Sequence, residues 1–102
     1  MMQNINFGCG KVTYNDFDIE LNIPIENQLY SLKEDLIQVD YDERYIIDIG
    51  WYPEFSLDGS FRIVAIENYD WGSPLFTYSC KTLEQLHSAI EESVDRVEKL
   101  LR

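Results

Sequence analysis

Hydrophobic and polar residues alternate from Asp16 to Ile23, with Phe17, Ile19, Leu21 and Ile23 on one side and Asp16, Asp18, Glu20 and Asn22 on the other. A period of two predicts a strand with one buried face. The preceding segment, Ile5-Asn6-Phe7 and Lys11-Val12-Thr13-Tyr14 around Gly8-Cys9-Gly10, is predicted to form a hairpin with it. Pro24 suits an early helical position. After it Ile25, Leu29, Leu32 and Leu36 recur at three- and four-residue steps, which predicts a helix over about 25–37.

Three more strands are expected, Tyr45–Tyr52, Ser60–Glu67 and Leu75–Cys80. The turn signal Asp58-Gly59 makes the first two antiparallel neighbours. Both are apolar on each side, which places them at the sheet centre. The chain closes with its clearest element. Thr82 and Gln85 have the spacing of a capping box, and Leu83, Leu86, Ile90, Val94, Val97 and Leu101 form one helical stripe. Glu92–Arg96, Asp95–Lys99 and Glu98–Arg102 are acid-first pairs on its outer face. The order β(β)-α-β-β-β-α predicts an α+β fold, a single two-layer domain over 1–102 with two helices on a mostly antiparallel sheet.

Composition agrees with one compact core: 102 residues, 45% hydrophobic and 14% aromatic. Met1-Met2-Gln3-Asn4-Ile5-Asn6 carries neither a basic nor an apolar region, so no secretory signal is expected. Apolar runs stop at three or four residues, far below the ~20 of a membrane helix. A cytoplasmic location is expected. Cys9 and Cys80, 71 positions apart, could pair if their segments meet, although cytoplasmic thiols normally stay reduced.

Candidate chemistry is sparse. His87, the only histidine, falls about 40° from Leu83 on the helix, at the edge of the apolar stripe, which favours packing over proton transfer. Asp40, Asp42, Glu43, Asp48, Glu54 and Asp58 gather near one strand, yet a carboxylate-pair hydrolase needs a cleft that a domain this small seldom encloses. Asp40-Tyr41-Asp42-Glu43 lacks the glycine and distal glutamate of a calcium loop. Gly8-Cys9-Gly10 is no phosphate loop. Neither an enzyme nor a cofactor or metal is expected.

Charge changes the picture. With 8 Lys+Arg against 19 Asp+Glu the net charge is −11. This sign all but excludes phosphate-led binding of nucleic acid and disfavours attachment to an anionic membrane. Residues 1–70 hold 14 acids and 4 bases, net −10, whereas residues 71–102 hold 5 and 4, net −1. Aromatic residues sit among the acids, where Tyr69 and Trp71 flank Asp70. Tyrosine and tryptophan anchor interfaces because they bury much area at small entropic cost. Trp51 alternates with Ile47 and Ile49 and is expected in the core. Asp16, Asp18, Glu20, Asp40, Asp42, Glu43, Glu54, Asp58, Tyr69, Asp70 and Trp71 are the candidate partner-binding residues.

The stretches Ile49-Gly50-Trp51-Tyr52-Pro53-Glu54, Gly59-Ser60-Phe61-Arg62-Ile63 and Asp70-Trp71-Gly72-Ser73-Pro74-Leu75, with the closing helix, span roughly 45–101. Together with size and acidity they resemble the small acidic immunity proteins of bacterial polymorphic-toxin and contact-dependent growth-inhibition systems. That resemblance implies a cytoplasmic protein that binds a co-encoded toxin domain, an RNase or DNase, and blocks it. The alternative is a DNA mimic that inhibits a restriction or defence enzyme. A monomer or weak dimer is expected, since an exposed edge strand could pair two copies.

Overall fold

Ile47, Ile49 and Trp51 point to one side of their strand and meet Ala65, Ile63 and Phe61 of the next, and this double row is the centre of the protein. The computed structural model describes residues 5–102. Its strands are β1 (Lys11–Asn15), β2 (Ile37–Tyr41), β3 (Tyr45–Tyr52), β4 (Ser60–Glu67) and β5 (Phe76–Cys80), followed by the helix α1 (Leu83–Leu101). The five strands form one antiparallel sheet in the order β1-β2-β3-β4-β5. The fold is α+β, with one α-helix among the described residues.

α1 begins as expected. The Gln85 backbone N–H donates to Thr82 Oγ1 at 3.1 Å, and Gln85 Oε1 accepts from the Thr82 backbone N–H. Its stripe, Leu86, Ile90, Val94 and Val97, is buried and packs on β3, β4 and β5. Of the outer-face pairs, Asp95–Lys99 forms at 2.8 Å. Arg96 leans instead onto the Phe76 ring, 4.0 Å from its centroid, and donates to the Tyr78 hydroxyl. Glu98 accepts from the Cys9 backbone N–H at 2.9 Å. His87 is half exposed, with Nδ1 3.3 Å from Glu91 Oε1.

Two expectations are corrected. Residues 16–23 are not a strand. The Asp16 N–H donates to the Leu36 carbonyl, but Phe17 N–H then turns to the Asn15 side chain and Glu20 N–H to the side chain of Gln28. Gln28 Nε2 also donates to the carbonyls of Glu20 and Ile23, so one amide side chain holds this bend in place of a neighbouring strand. Only the first half of the alternation is buried: Phe17 and Ile19 are inside, Leu21 and Ile23 outside.

Nor is 25–37 a helix. It makes two short 3-10 turns, Ile25–Asn27 and Leu29–Ser31, and then runs extended into β2. Lys33–Leu36 is held against β3: Trp51 N–H donates to the Lys33 carbonyl and Leu36 N–H to that of Ile49. β2 itself, Ile-Gln-Val-Asp-Tyr, alternates buried and half-buried residues and is paired on both sides. β1 therefore pairs with β2, and the hairpin with 16–23 does not form. Cys9 and Cys80 are free thiols.

The physical reason lies in the geometry of cover. α1 spans β3 to β5, so the β1–β2 end of the same face needs another lid. Phe17, Ile19, Leu32 and Leu36 supply it, all in the main core cluster. Beside Gly50, which points away from the core between Ile49 and Trp51, the backbone leading into β2 passes so close that a side chain has no room; an added Cβ would collide with the Glu34 carbonyl. Gly50→Ala is expected to cost at least about 2 kcal/mol, since neither backbone can give way cheaply. Urea unfolding checks this: the midpoint should fall with the slope unchanged.

Candidate functional site

Residues paired across an antiparallel sheet share a face, and successive residues take opposite faces. One face, bearing Ile37, Val39, Ile47, Ile49, Trp51, Phe61 and Ile63, lies under the helix and the lid. Trp51 is 2% exposed there, its indole N–H donating to the Ser56 carbonyl at 2.7 Å. The opposite face carries Gln38, Asp48, Tyr52, Arg62, Val64, Thr77 and Ser79, with Ile46 and Ile66 buried at one end, and no helix of the described residues covers it.

This open face is hollow. A groove of about 400 Å³ is lined by Asp48, Tyr52, Arg62, Val64, Trp71, Pro74, Thr77 and Ser79. A second hollow of about 290 Å³, lined by Tyr14, Asp35, Leu36, Ile37, Gln38 and Asp48, shares Asp48 with it. The polar Asp48 sits in the most apolar strand of the chain, opposite Gln38 on β2 and Val64 on β4. Gln38 Nε2 donates to Asp48 Oδ2 at 3.2 Å. Burial pushes the Asp48 carboxyl above its ordinary value, and the Asp35 charge adds to the shift while the Gln38 hydrogen bond opposes it. Tyr52 is likewise pushed up, by burial first and then by the charges of Asp48, Asp35 and Glu34. The Arg62 guanidinium lies 4.7 Å from the Tyr52 ring centroid.

Two turns stand at one end of this face. Asp42 and Glu43, between β2 and β3, have φ of 60° and 56°, and Asn68 and Tyr69, after β4, have 53° and 62°. Aspartate and asparagine tolerate this left-handed region; glutamate and tyrosine are strained there, at a cost of order ~1–3 kcal/mol each. Asp40 Oδ1 accepts from the Glu43 N–H at 2.7 Å, and the Arg44 carbonyl accepts from the Asn68 N–H at 2.8 Å, which ties the two turns together. Arg44 also reaches Glu67, Nε to Oε2, at 3.4 Å.

The sequence-derived candidates are thus divided. Asp40, Asp42, Glu43, Tyr69, Asp70 and Trp71 gather around these turns, with Tyr69 59% and Trp71 48% exposed. Asp16, Asp18, Glu20, Glu54 and Asp58 lie towards the other end of the sheet. Lys33 Nζ bridges Asp16 at 2.9 Å and Asp18 at 3.9 Å, and Glu54 accepts from the Glu34 N–H. Those acids are partly spent on the lid. Sequence reasoning weighed Asp48 only as one of a group of carboxylates and left it, with Gln38, Tyr52 and Arg62, out of the partner-binding set. A single charge inside Tyr-Ile-Ile-Asp-Ile-Gly-Trp-Tyr was the available signal.

Among the described residues no group of three or more His, Cys, Asp or Glu could hold a metal ion. No helix there is long and apolar enough to cross a membrane. Compared with known proteins, the chain matches no family model, no curated protein and no solved structure.

A carboxyl whose folded-state pKa is raised binds more protons folded than unfolded, so its burial lowers stability as pH climbs through the carboxylate range. Asp48→Asn keeps an acceptor for Gln38 and removes that cost. The variant should melt above the native protein at about pH 7. The gap should close as pH falls towards 3.8, the ordinary aspartate value. Thermal unfolding followed by circular dichroism across that range checks both.

Proposed function

We propose that this protein neutralises a cationic toxin domain, a nuclease, by one-to-one binding, and so protects the cell that makes it in contact-dependent growth inhibition. The observation that carries the reading is the open sheet face. The half-buried carboxylate of Asp48 lines it, Trp71 stands at its edge, and the left-handed turns at Asp42–Glu43 and Asn68–Tyr69 continue it. Strain and buried charge that lower stability concentrate where function requires them. An uncovered groove with an aromatic at its border has the layout of an interface anchor with a polar rim.

In this reading Asp40, Asp42, Glu43 and Asp70 occupy the positions that phosphates take in the toxin's basic cleft, and Trp71 inserts beside them. Complementary potentials of this kind speed association and reject wrong partners. The acids on the lid act at longer range, through the field of the −10 segment. The DNA-mimic alternative asks for an unbroken row of carboxylates. Here Lys33 sits between Asp16 and Asp18, Arg44 beside Glu67, and Arg62 within the groove. That arrangement favours a cleft-binding inhibitor over a duplex mimic.

Co-expression with the toxin domain expected to be encoded immediately upstream should give a stable complex without nuclease activity; separate elution at micromolar concentration would overturn the proposal. Within the complex, Trp71→Ala should weaken binding at least tenfold, about 1.4 kcal/mol. Replacing Asp40, Asp42 and Glu43 by amides should slow association chiefly at low salt, while the same change at Glu91, Glu92 and Asp95 should leave it unaltered.

A further inference from the structure

The sheet has two open edges, and they are built differently. On β1 all five residues are exposed, Lys11 is charged, and the register with β2 shifts between Val12 and Tyr14. At that irregularity Thr13 Oγ1 donates to the Gln38 carbonyl at 3.3 Å. Charge and a bulge are devices by which an edge strand avoids pairing with another chain. β5 has neither. Its residues, Phe-Thr-Tyr-Ser-Cys, hold no charge and no proline, and its register with β4 is unbroken from Phe61↔Cys80 to Ala65↔Phe76. No strand of the described residues lies beyond it.

We infer that β5 pairs with β5 of a second copy of this chain, antiparallel about a two-fold axis, joining two five-stranded sheets into one. Charge selects this occupant and this edge. β1 is flanked by Asp16, Asp18, Asp40 and Asp42, in the segment of net −10, where a second copy is repelled. β5 belongs to the segment of net −1, where a second copy is tolerated and a basic partner has little to draw it.

Geometry allows the pairing. α1 lies over β3, β4 and β5, so the helix of each copy is centred near its own β4. Three strand spacings then separate the two helices, about 14 Å, against a helix diameter of about 10–12 Å. They clear one another. With the axis at Tyr78, Thr77 of each copy faces Ser79 of the other on the groove side, a favourable cross-strand pair. Phe76 faces Cys80 on the helix side. The groove floor, which ends at Thr77 and Ser79, then runs on into the second copy.

Sedimentation velocity of the full chain tests this. The mass should rise from 12.0 kDa towards twice that value as concentration increases. The rise should fall within about 10–100 μM, as one added strand pair with little else buried implies. Added salt should strengthen the dimer by screening two copies of net −11, the opposite of its effect on a basic partner. Thr77→Lys with Ser79→Lys, both at exposed positions, should keep the chain monomeric with its far-ultraviolet dichroism unchanged, even though the variant's net charge is smaller. Val12→Lys on β1 should dimerise as the native chain does. A native chain that stays at 12.0 kDa at about 500 μM, a millimolar-class affinity or none, overturns the inference. So does a β5 lysine variant that dimerises normally, or loss of the dimer in Val12→Lys alone.

Discussion

A helix about 10 Å wide cannot cover five strands spaced about 4.8 Å apart, and the rest of this structure follows from that mismatch. α1 buries Leu86, Ile90, Val94 and Val97 chiefly against β3, β4 and β5, and beyond them reaches the segment before β1 only through Glu98. The remaining apolar rows, Ile37 and Val39 on β2, must be closed by something else. The chain uses residues 16–36, bent by Gln28 and pressed onto β3 through Lys33 and Leu36, so that Phe17, Ile19, Leu32 and Leu36 fall where a second helix would stand. The cost is close backbone contact, visible at Gly50 beneath the Glu34 carbonyl.

The apolar side chains of this cover lie on one face, while the Glu34 backbone stands over Gly50 on the other. That other face is left to Gln38, Asp48, Tyr52, Arg62 and Val64, with Trp71 and Pro74 standing over its β4–β5 side. A half-buried carboxylate in a central strand is a poor choice for stability alone, because an apolar side chain there would avoid the loss of hydration. Glu43 and Tyr69 in left-handed conformations add to that cost at the same face's end, and Phe55 is left-handed too, in the β3–β4 loop at the opposite end of the sheet. Stability given up at neighbouring positions on one open surface is the physical ground for reading that surface as the working one.

The legible parts of the fold were those set by local signals. The Thr82–Gln85 box and a stripe of nearly five turns defined α1, and β3 and β4 were long and apolar on both faces. The illegible part was the lid. Alternation over 16–23 and a helical period over 25–36 are real patterns, but the burial that they encode comes from meeting the β1–β2 face, not from a strand neighbour or a regular helix. β2 was hidden because Leu36 and Ile37 continue the helical period into a strand whose own period is two. The candidate site divides in the same way. Acids and aromatics near the turns could be read as composition, whereas grouping Asp40, Asp42 and Glu43 with Tyr69 and Asp70 needed the Asn68–Arg44 hydrogen bond. Gln38 and Arg62 joined Asp48 only through strand register.

Which face of the sheet meets a partner is the decisive property. Nuclear magnetic resonance of the ¹⁵N-labelled protein, titrated with the basic toxin domain that the proposed function requires, reads this directly. Amide shifts should move at Asp48, Arg62, Val64, Trp71 and Thr77 and at the Asp42–Glu43 turn, and stay still along Glu91, Glu92 and Asp95. Perturbations confined to the outer side of α1, with the open sheet face unchanged, would contradict it.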